Sequence, residues 1–289
     1  MLGGKFRASS GIKAHDRNGL PAAGRRRGMV AADCHVHTTN SDGELTLDRI
    51  PAAARDAGVE LVAVTDHDRF HPDLDASVVS LDGITVVHGI ELRVDAGDQR
   101  VDLLGYGVER TSALTAVVET VQQNRVERGR AIIECVEDRL GVDLPVEPRR
   151  GLGRPHIARA IAESDADYDY QDAFDHLIGG DGPCYVARDI PDFETGVDAL
   201  RDACAVVGLA HPFRYGDTEA ALDLTTHLDA VERYYPYHRE FDPAPVERAV
   251  DAHDLLVTGG SDAHDETLGR AGLDGAEADA FRAAVGAAE

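Results

Sequence analysis

Positive charge is what this chain has least of. It carries 53 Asp and Glu against 29 Lys and Arg, a formal net charge of -24, and its only lysines are Lys5 and Lys13. Non-specific affinity for nucleic acid comes from basic groups that release counterions, so stable DNA binding is excluded. A phosphate-bearing substrate stays open where bound metals supply local positive charge. A lysine-poor acidic surface suits molar salt, where carboxylates hold hydration and repulsion is screened over about 3 Å at 1 M. A halophilic protein is therefore expected; an ordinary acidic enzyme is the plain alternative, and a melting temperature indifferent to salt would favour it.

Other absences narrow the class further. No apolar run approaches the roughly 20 residues needed to cross a bilayer, and no secretory segment is visible, which points away from a membrane and towards a soluble globular protein. Cys34, Cys135, Cys184 and Cys204 are scattered with no CxxC pair, so neither a disulfide framework nor a zinc ribbon is expected, and the reduced cytoplasm is the simplest compartment. No internal repeat is present. The 289 residues suffice for one large domain with an insertion.

Residues 1 to 28 are rich in Gly and basic residues, with Arg25, Arg26 and Arg27 in a row. Without apolar periodicity they read as a disordered extension, and the natural start is expected at Met29. A targeting or nucleic-acid arm is the functional alternative. From residue 29 to 289, short apolar runs alternate with helical patterns. Strands are expected at 29–34, 61–65, 84–90 and 101–106, and again at 206–210, 228–232 and 255–258. A helix is expected over 46–57, with Thr46 as N-cap and Gly58 as the stop. Such alternation predicts a mostly parallel sheet, open or closed into a barrel. The stretch of about 110–200 is helix-rich and reads as an insertion; within it 112–140 is helical with a break near Gly129.

The chemistry sits where the strands end. Asp33-Cys34-His35-Val36-His37 closes the first strand, and residues two apart in an extended chain point to one side, so His35 and His37 can reach one ion together. Asp66-His67 follows the second strand, Glu91 the third, His211 a later one, and Asp262 and His264 the last. In a parallel barrel or sheet these carboxyl ends share one face, where active sites are built. Imidazoles with carboxylates suit Zn, Mn or Fe, and more ligand-type residues are present than one tetrahedral ion needs, which implies two or three ions. A single His at a strand end is more often a hydrogen-bonded structural residue, but five strand ends in succession are not five accidents. Glu91 follows an apolar run, where a buried carboxylate is costly without a cation, so it reads as a bridging ligand.

His35-Val36-His37 with Ser41-Asp42-Gly43, Thr65-Asp66-His67-Asp68, Gly89-Ile90-Glu91 and Ser261-Asp262-Ala263-His264, in this order, resemble the polymerase and histidinol phosphatase (PHP) superfamily over roughly residues 30 to 270. The resemblance implies an α/β fold, a distorted, TIM-like seven-stranded (β/α)7 barrel, and phosphoester hydrolysis at a centre of three divalent ions, Mn with Zn or Fe as alternatives. Position by position it implies His35, His37, Glu91 and Asp262 around the first ion. Glu91, His156 and His211 would hold the second, and Asp42, His67 and His264 the third. His156, in Gly153-Arg154-Pro155-His156, comes from the resemblance alone.

Arg154 to Arg159, Gly182 to Val186 and Ala210 to Tyr215 are similar to the branch of nucleoside 3′,5′-bisphosphate phosphatases and 5′–3′ exonucleases acting on short RNA. That implies a small phosphorylated nucleotide or short RNA as partner and direct hydrolysis by a metal-bound hydroxide without a covalent enzyme intermediate. Arg154 and Arg214 are candidates for a second phosphate, and His238 for phosphate binding or protonation of the leaving oxygen. Arg154 and Arg214 have surface ion pairing as the equal alternative; Arg159, Arg188, Arg233 and Arg239 read as surface partners outright. Tyr234, Tyr235 and Tyr237 are candidates to stack a base, with packing the plainer role. His88 is a candidate neighbour of the ligands, and Asp66 a candidate acceptor orienting His67. Competing readings are a phosphatase for another small phosphomonoester such as histidinol phosphate, and a non-catalytic metal-binding accessory module. The intact ligand set weighs against the latter. Oligomeric state is not legible.

Overall fold

The computed structural model describes residues 30–287; the extension expected at 1–28 and the start at Met29 lie outside the described residues. Among the described residues, apolar alternation in short β-branched runs builds eight strands, in chain order β1 (Ala32–Val36), β2 (Leu61–Val64), β3 (Val78–Leu81), β4 (Ile84–Asp95), β5 (Arg100–Tyr106), β6 (Val206–Leu209), β7 (Ala230–Tyr234) and β8 (Leu256–Gly259). Seven of them run β1-β2-β4-β5-β6-β7-β8 in hydrogen-bonded order, while β3, absent from the sequence-based expectation, pairs with the first half of β4. The sheet nearly closes on itself: His37 N donates to Ala263 O at 3.0 Å just past the end of β8.

Six of the seven barrel strands share one direction, and β5 alone runs against both neighbours. The cause is local. Only residues 96–99 separate β4 from β5, Ala96 N donates to Gln99 O, and Gly97 supplies φ +88°. A connection this short joins antiparallel strands only, since a parallel crossover needs a dozen residues or more. The first residues of β5 therefore lie on the same face as the carboxyl ends of the others.

Helices pack outside and between. α1 (Ile50–Ala57) is entered through a 3-10 turn that Thr46 precedes without a side-chain cap, and it stops at Gly58 with φ +72°. Between β5 and β6 lie α2 (Ser112–Leu140), α3 (Arg154–Ala162), α4 (Tyr170–Ala173), which runs on into a π turn, and α5 (Phe193–Ala203). α6 (Thr218–Asp223), α7 (Ala244–His253) and α8 (Gly275–Ala284) follow. α2 is unbroken at Gly129, contrary to expectation. That glycine makes room for Leu152, whose side chain would sit 2.5 Å from an added Cβ. The second half of α2 joins α3, α4 and Cys184 in a core of their own, apart from the cores flanking the barrel wall.

Cys135 and Cys184 are joined in a disulfide with Cα atoms 5.6 Å apart, which corrects the expectation of none. Their separation of 49 residues carries no signal; α2 packing against the 177–186 segment brings them together. No helix among the described residues is long and apolar enough to cross a membrane.

Candidate metal centre

His35 and His37 do leave β1 on one side, both fully buried. Their Nε2 atoms converge on two carboxylates: His35 lies 3.5 Å from Glu91 Oε2 and 3.4 Å from Asp262 Oδ1, His37 3.4 and 3.0 Å from the same atoms. Around this foursome the ligand-type atoms form two further groups, each with all its atoms within 4.8 Å of one another. One is His37, Asp42, His67 and His264; the other is Glu91, Asp102 and His211. Glu91 touches them all, with its oxygens 2.7 Å from His67 Nδ1 and 3.1 Å from His211 Nε2. Eight of the residues expected from the sequence are thus brought together.

His156 is not. Its Nδ1 accepts the Gly153 N–H at 3.1 Å at the start of α3, and the third group contains Asp102 in the place the resemblance implied for His156. Asp102 stands near the start of β5, the one reversed strand, so a pattern of strand carboxyl ends does not contain it. The signal was available: like Glu91, it is a carboxylate inside an apolar run, 1% exposed.

The donor set fits cations. His35 Nε2, His37 Nε2, Asp42 Oδ1 and Glu91 Oε2 are buried and none has a hydrogen bond of good geometry, although both imidazole nitrogens lie 3.4–3.5 Å from Glu91 Oε2 and Asp42 Oδ1 lies 3.5 Å from His264 Nε2. Buried polar atoms left this way are costly unless something pairs them. Protons divide unevenly over the side chains of the cluster. Burial would depress His67, but the Glu91 and Asp42 carboxylates lift it to about 9. Burial opposes ionisation of Glu91, yet His67 and His35 hold it well below the usual carboxylate range. His37 is lowered, by burial and then by His67 and His264.

Carboxylates outside these groups hold the loops in place. Asp66 accepts from Thr38 N, Thr38 Oγ1, Asn40 Nδ2 and Ser41 Oγ at 2.7–3.0 Å. It therefore orients the loop carrying Asp42, rather than His67 as expected. Asp33 accepts from Ser261 N and Gly269 N, each at 2.9 Å, beneath Asp262. Glu232, on β7, meets His35 and His211. His211 and Asp262 are non-glycine residues at φ +28° and +48°, conformations costing on the order of 1–3 kcal/mol each that persist only where surroundings over-determine them. His88 is no neighbour of the ligands; its Nε2 accepts the His71 N–H at 3.2 Å.

Two cavities flank the cluster. One, of about 250 Å³, lies between Glu91, Asp102, His211 and a wall of arginines from α2, α3 and the 188 segment. Arg93 is clamped on Asp102, and Arg125 and Arg188 on Asp68. Arg188 is thus an inward residue and not the surface partner expected. Arg128 and Arg154 have no carboxylate partner among the described residues. Arg128 Nε donates to Val186 O at 2.6 Å, and Arg154 donates to Ile178 O while lying over the Phe174 and Tyr185 rings. Burial, then the neighbouring Arg154, Arg188 and Arg125, pull the Arg128 guanidinium down to about 9.

The other cavity is open and about 1070 Å³, lined by Tyr235, Tyr237, His238 and Arg239 and reaching Asp262 and His264. His238 is exposed there. Tyr235 Oη donates to Asp262 Oδ2 at 2.8 Å, and Arg214 donates to the same oxygen at 3.1 Å, so these two hold a ligand-type side chain while Arg214 lines both cavities. Tyr237 Oη accepts the Phe213 N–H, and Arg159 and Arg233 pair with Glu44 and with Glu247 and Glu277.

The model of the PHP domain matches residues 33–179. A 3′,5′-nucleoside bisphosphate phosphatase of Chromobacterium violaceum is 28% identical over 254 residues, spanning 82% of this chain and 88% of its own. A phosphoribosyl 1,2-cyclic phosphate 1,2-diphosphodiesterase of Eggerthella lenta is 31% identical over 250 residues, 80% of this chain and 93% of its own. The fold is similar to that of a candidate metal-dependent phosphoesterase from Bifidobacterium adolescentis, with TM-score 0.74 and 22% identity over 89% of this chain and 97% of the other.

Proposed function

The chain belongs to the PHP domain family and is a metal-dependent phosphoesterase, and from that premise we propose that it removes phosphate from nucleoside 3′,5′-bisphosphates, with the 5′ ends of short RNA as larger substrates of the same kind. One observation carries the reading: Arg128 and Arg154, without carboxylate partners among the described residues, line the same small cavity as Glu91, Asp102 and His211. Guanidiniums crowded without counter-ions are a receptor for a second phosphate. An alkyl monophosphate such as histidinol phosphate has nothing to place there.

Three ions fit the three groups: one at His35, His37, Glu91 and Asp262, one at Glu91, Asp102 and His211, and one at Asp42, His67 and His264 beside His37. Mn suits this mixture of imidazole and carboxylate, with Zn or Fe as alternatives. Such ions supply the charge that activates water and neutralises phosphoryl oxygens in an in-line displacement. The protein's own side chains do the rest. Arg154 and Arg128 hold the second phosphate, Arg214 reaches the reacting phosphate from between the cavities, and Tyr235 keeps Asp262 oriented. His238, exposed in the open cavity, contacts the phosphate or protonates the departing oxygen. Tyr237, beside it, is placed for the base.

The test is phosphate release by the Mn-loaded protein from a nucleoside 3′,5′-bisphosphate, a nucleoside 5′-monophosphate, a 5′-phosphorylated oligoribonucleotide, a ribose 1,2-cyclic phosphate and histidinol phosphate. Two charge-assisted contacts at about 1.5–3 kcal/mol each predict a kcat/KM for the bisphosphate at least ~100-fold above that of the monophosphate. Equal rates, or a preference for histidinol phosphate, would overturn the substrate assignment.

A further inference from the structure

Glu232 is 1% exposed in the middle of β7, and no Lys or Arg of the described residues pairs with it. A buried carboxylate of this kind is costly unless strongly hydrogen-bonded. Both of its oxygens are committed, and both to residues of the metal centre. Oε1 lies 3.0 Å from His35 Nδ1, and Oε2 accepts the His211 backbone N–H at 2.7 Å. With an ion bound, the first contact would keep the His35 proton on Nδ1 and turn Nε2, which faces Glu91 and Asp262, to the ion. The second holds the residue at φ +28° whose Nε2 points at Glu91 and Asp102.

The third group hangs from a different carboxylate. Asp42 rides on the loop that Asp66 gathers through Thr38, Asn40 and Ser41. Neither Asp42, His67 nor His264 touches Glu232. We propose that Glu232 is a positioning residue for two of the three ions, those at His35 and His211, and that Asp66 plays the same part for the ion at Asp42, His67 and His264. The proposal rests on the three groups holding ions, as read above.

The experiment compares wild type, Glu232→Gln and Asp66→Asn after Mn loading and desalting. Metal per chain is measured by mass spectrometry, and ion loss is followed in time against a chelator, with near-UV circular dichroism to show that each variant is folded. Outer partners that orient metal ligands are worth about 10- to 100-fold in affinity. Glu232→Gln is therefore expected to release two ions by that factor faster and keep the third at the wild-type rate, and Asp66→Asn to show the converse. Release of all ions by Glu232→Gln at the wild-type rate overturns the proposal, as does a uniform acceleration identical in both variants. If Glu232→Gln does not fold, Glu232→Asp, which keeps the charge but withdraws it by one methylene, must show the same two-ion loss or the proposal falls. Wild-type protein that takes up no ions would instead overturn the metal-centre reading itself.

Discussion

Replacing Glu91 by Gln keeps the side-chain shape and removes one charge from the point where all the ligand groups meet. In the structure that carboxylate is 1% exposed, and four imidazole nitrogens lie 2.7–3.5 Å from its oxygens, those of His35, His37, His67 and His211. Removing one partner of a buried charge pair costs about 3–5 kcal/mol. At 1.4 kcal/mol per factor of ten, the ions that share Glu91 should bind roughly 100- to 4000-fold more weakly. Dialysed Glu91→Gln is expected to hold at most the ion at Asp42, His67 and His264, and its phosphate release at saturating substrate should fall by a comparable factor. The assay is metal content after dialysis beside calorimetric titration of the metal-free protein with Mn. Full metal content with wild-type affinity in a folded Glu91→Gln protein would refute the idea that Glu91 bridges.

Arg154→Ala should raise KM for a 3′,5′-bisphosphate about tenfold or more while leaving kcat/KM for a 5′-monophosphate nearly unchanged; equal effects on both would remove the second-phosphate pocket. His238→Gln should lower kcat without changing metal content, and unaltered steady-state rates with every substrate would exclude it from the reaction. In metal-free protein His67 has its folded pKa raised to about 9, above the ordinary value of 6.5. The stabilisation is therefore complete below pH ~6.5 and is lost as pH rises through about 9, on the order of 3 kcal/mol in all. Denaturant titrations of the metal-free protein between pH 6 and 10 should show that loss, and a flat profile would count against it. The Cys135–Cys184 bond closes 49 residues, worth about 4 kcal/mol in the chain-entropy view. Cys184→Ser should accordingly lower Tm by on the order of 10 °C, and an unchanged melt would show that the packing of α2 on the 177–186 segment suffices alone.

What the linear pattern determined about this protein is what depends on local periodicity and on the cost of burying charge. Two-residue spacing put His35 and His37 on one side of β1, and apolar runs ending in His or acid placed His67, Glu91, His211, Asp262 and His264 on one face of a barrel. Gly58 ended α1 where a stop was expected, and does so at φ +72°. Tertiary structure alone decided which groups meet. A turn of four residues reversed β5 and brought Asp102 beside Glu91 and His211, whereas His156 stands at the start of α3, outside the three groups. Barrel closure set Glu232 against His35 across 197 residues, and the docking of α2 joined Cys135 to Cys184 and turned Arg128 and Arg188 inward. The physical reason is the same in each case. Spacing along the chain says which side of a strand or helix a residue faces, but a partner is fixed by strand direction and packing, which depend on contacts between segments far apart in sequence.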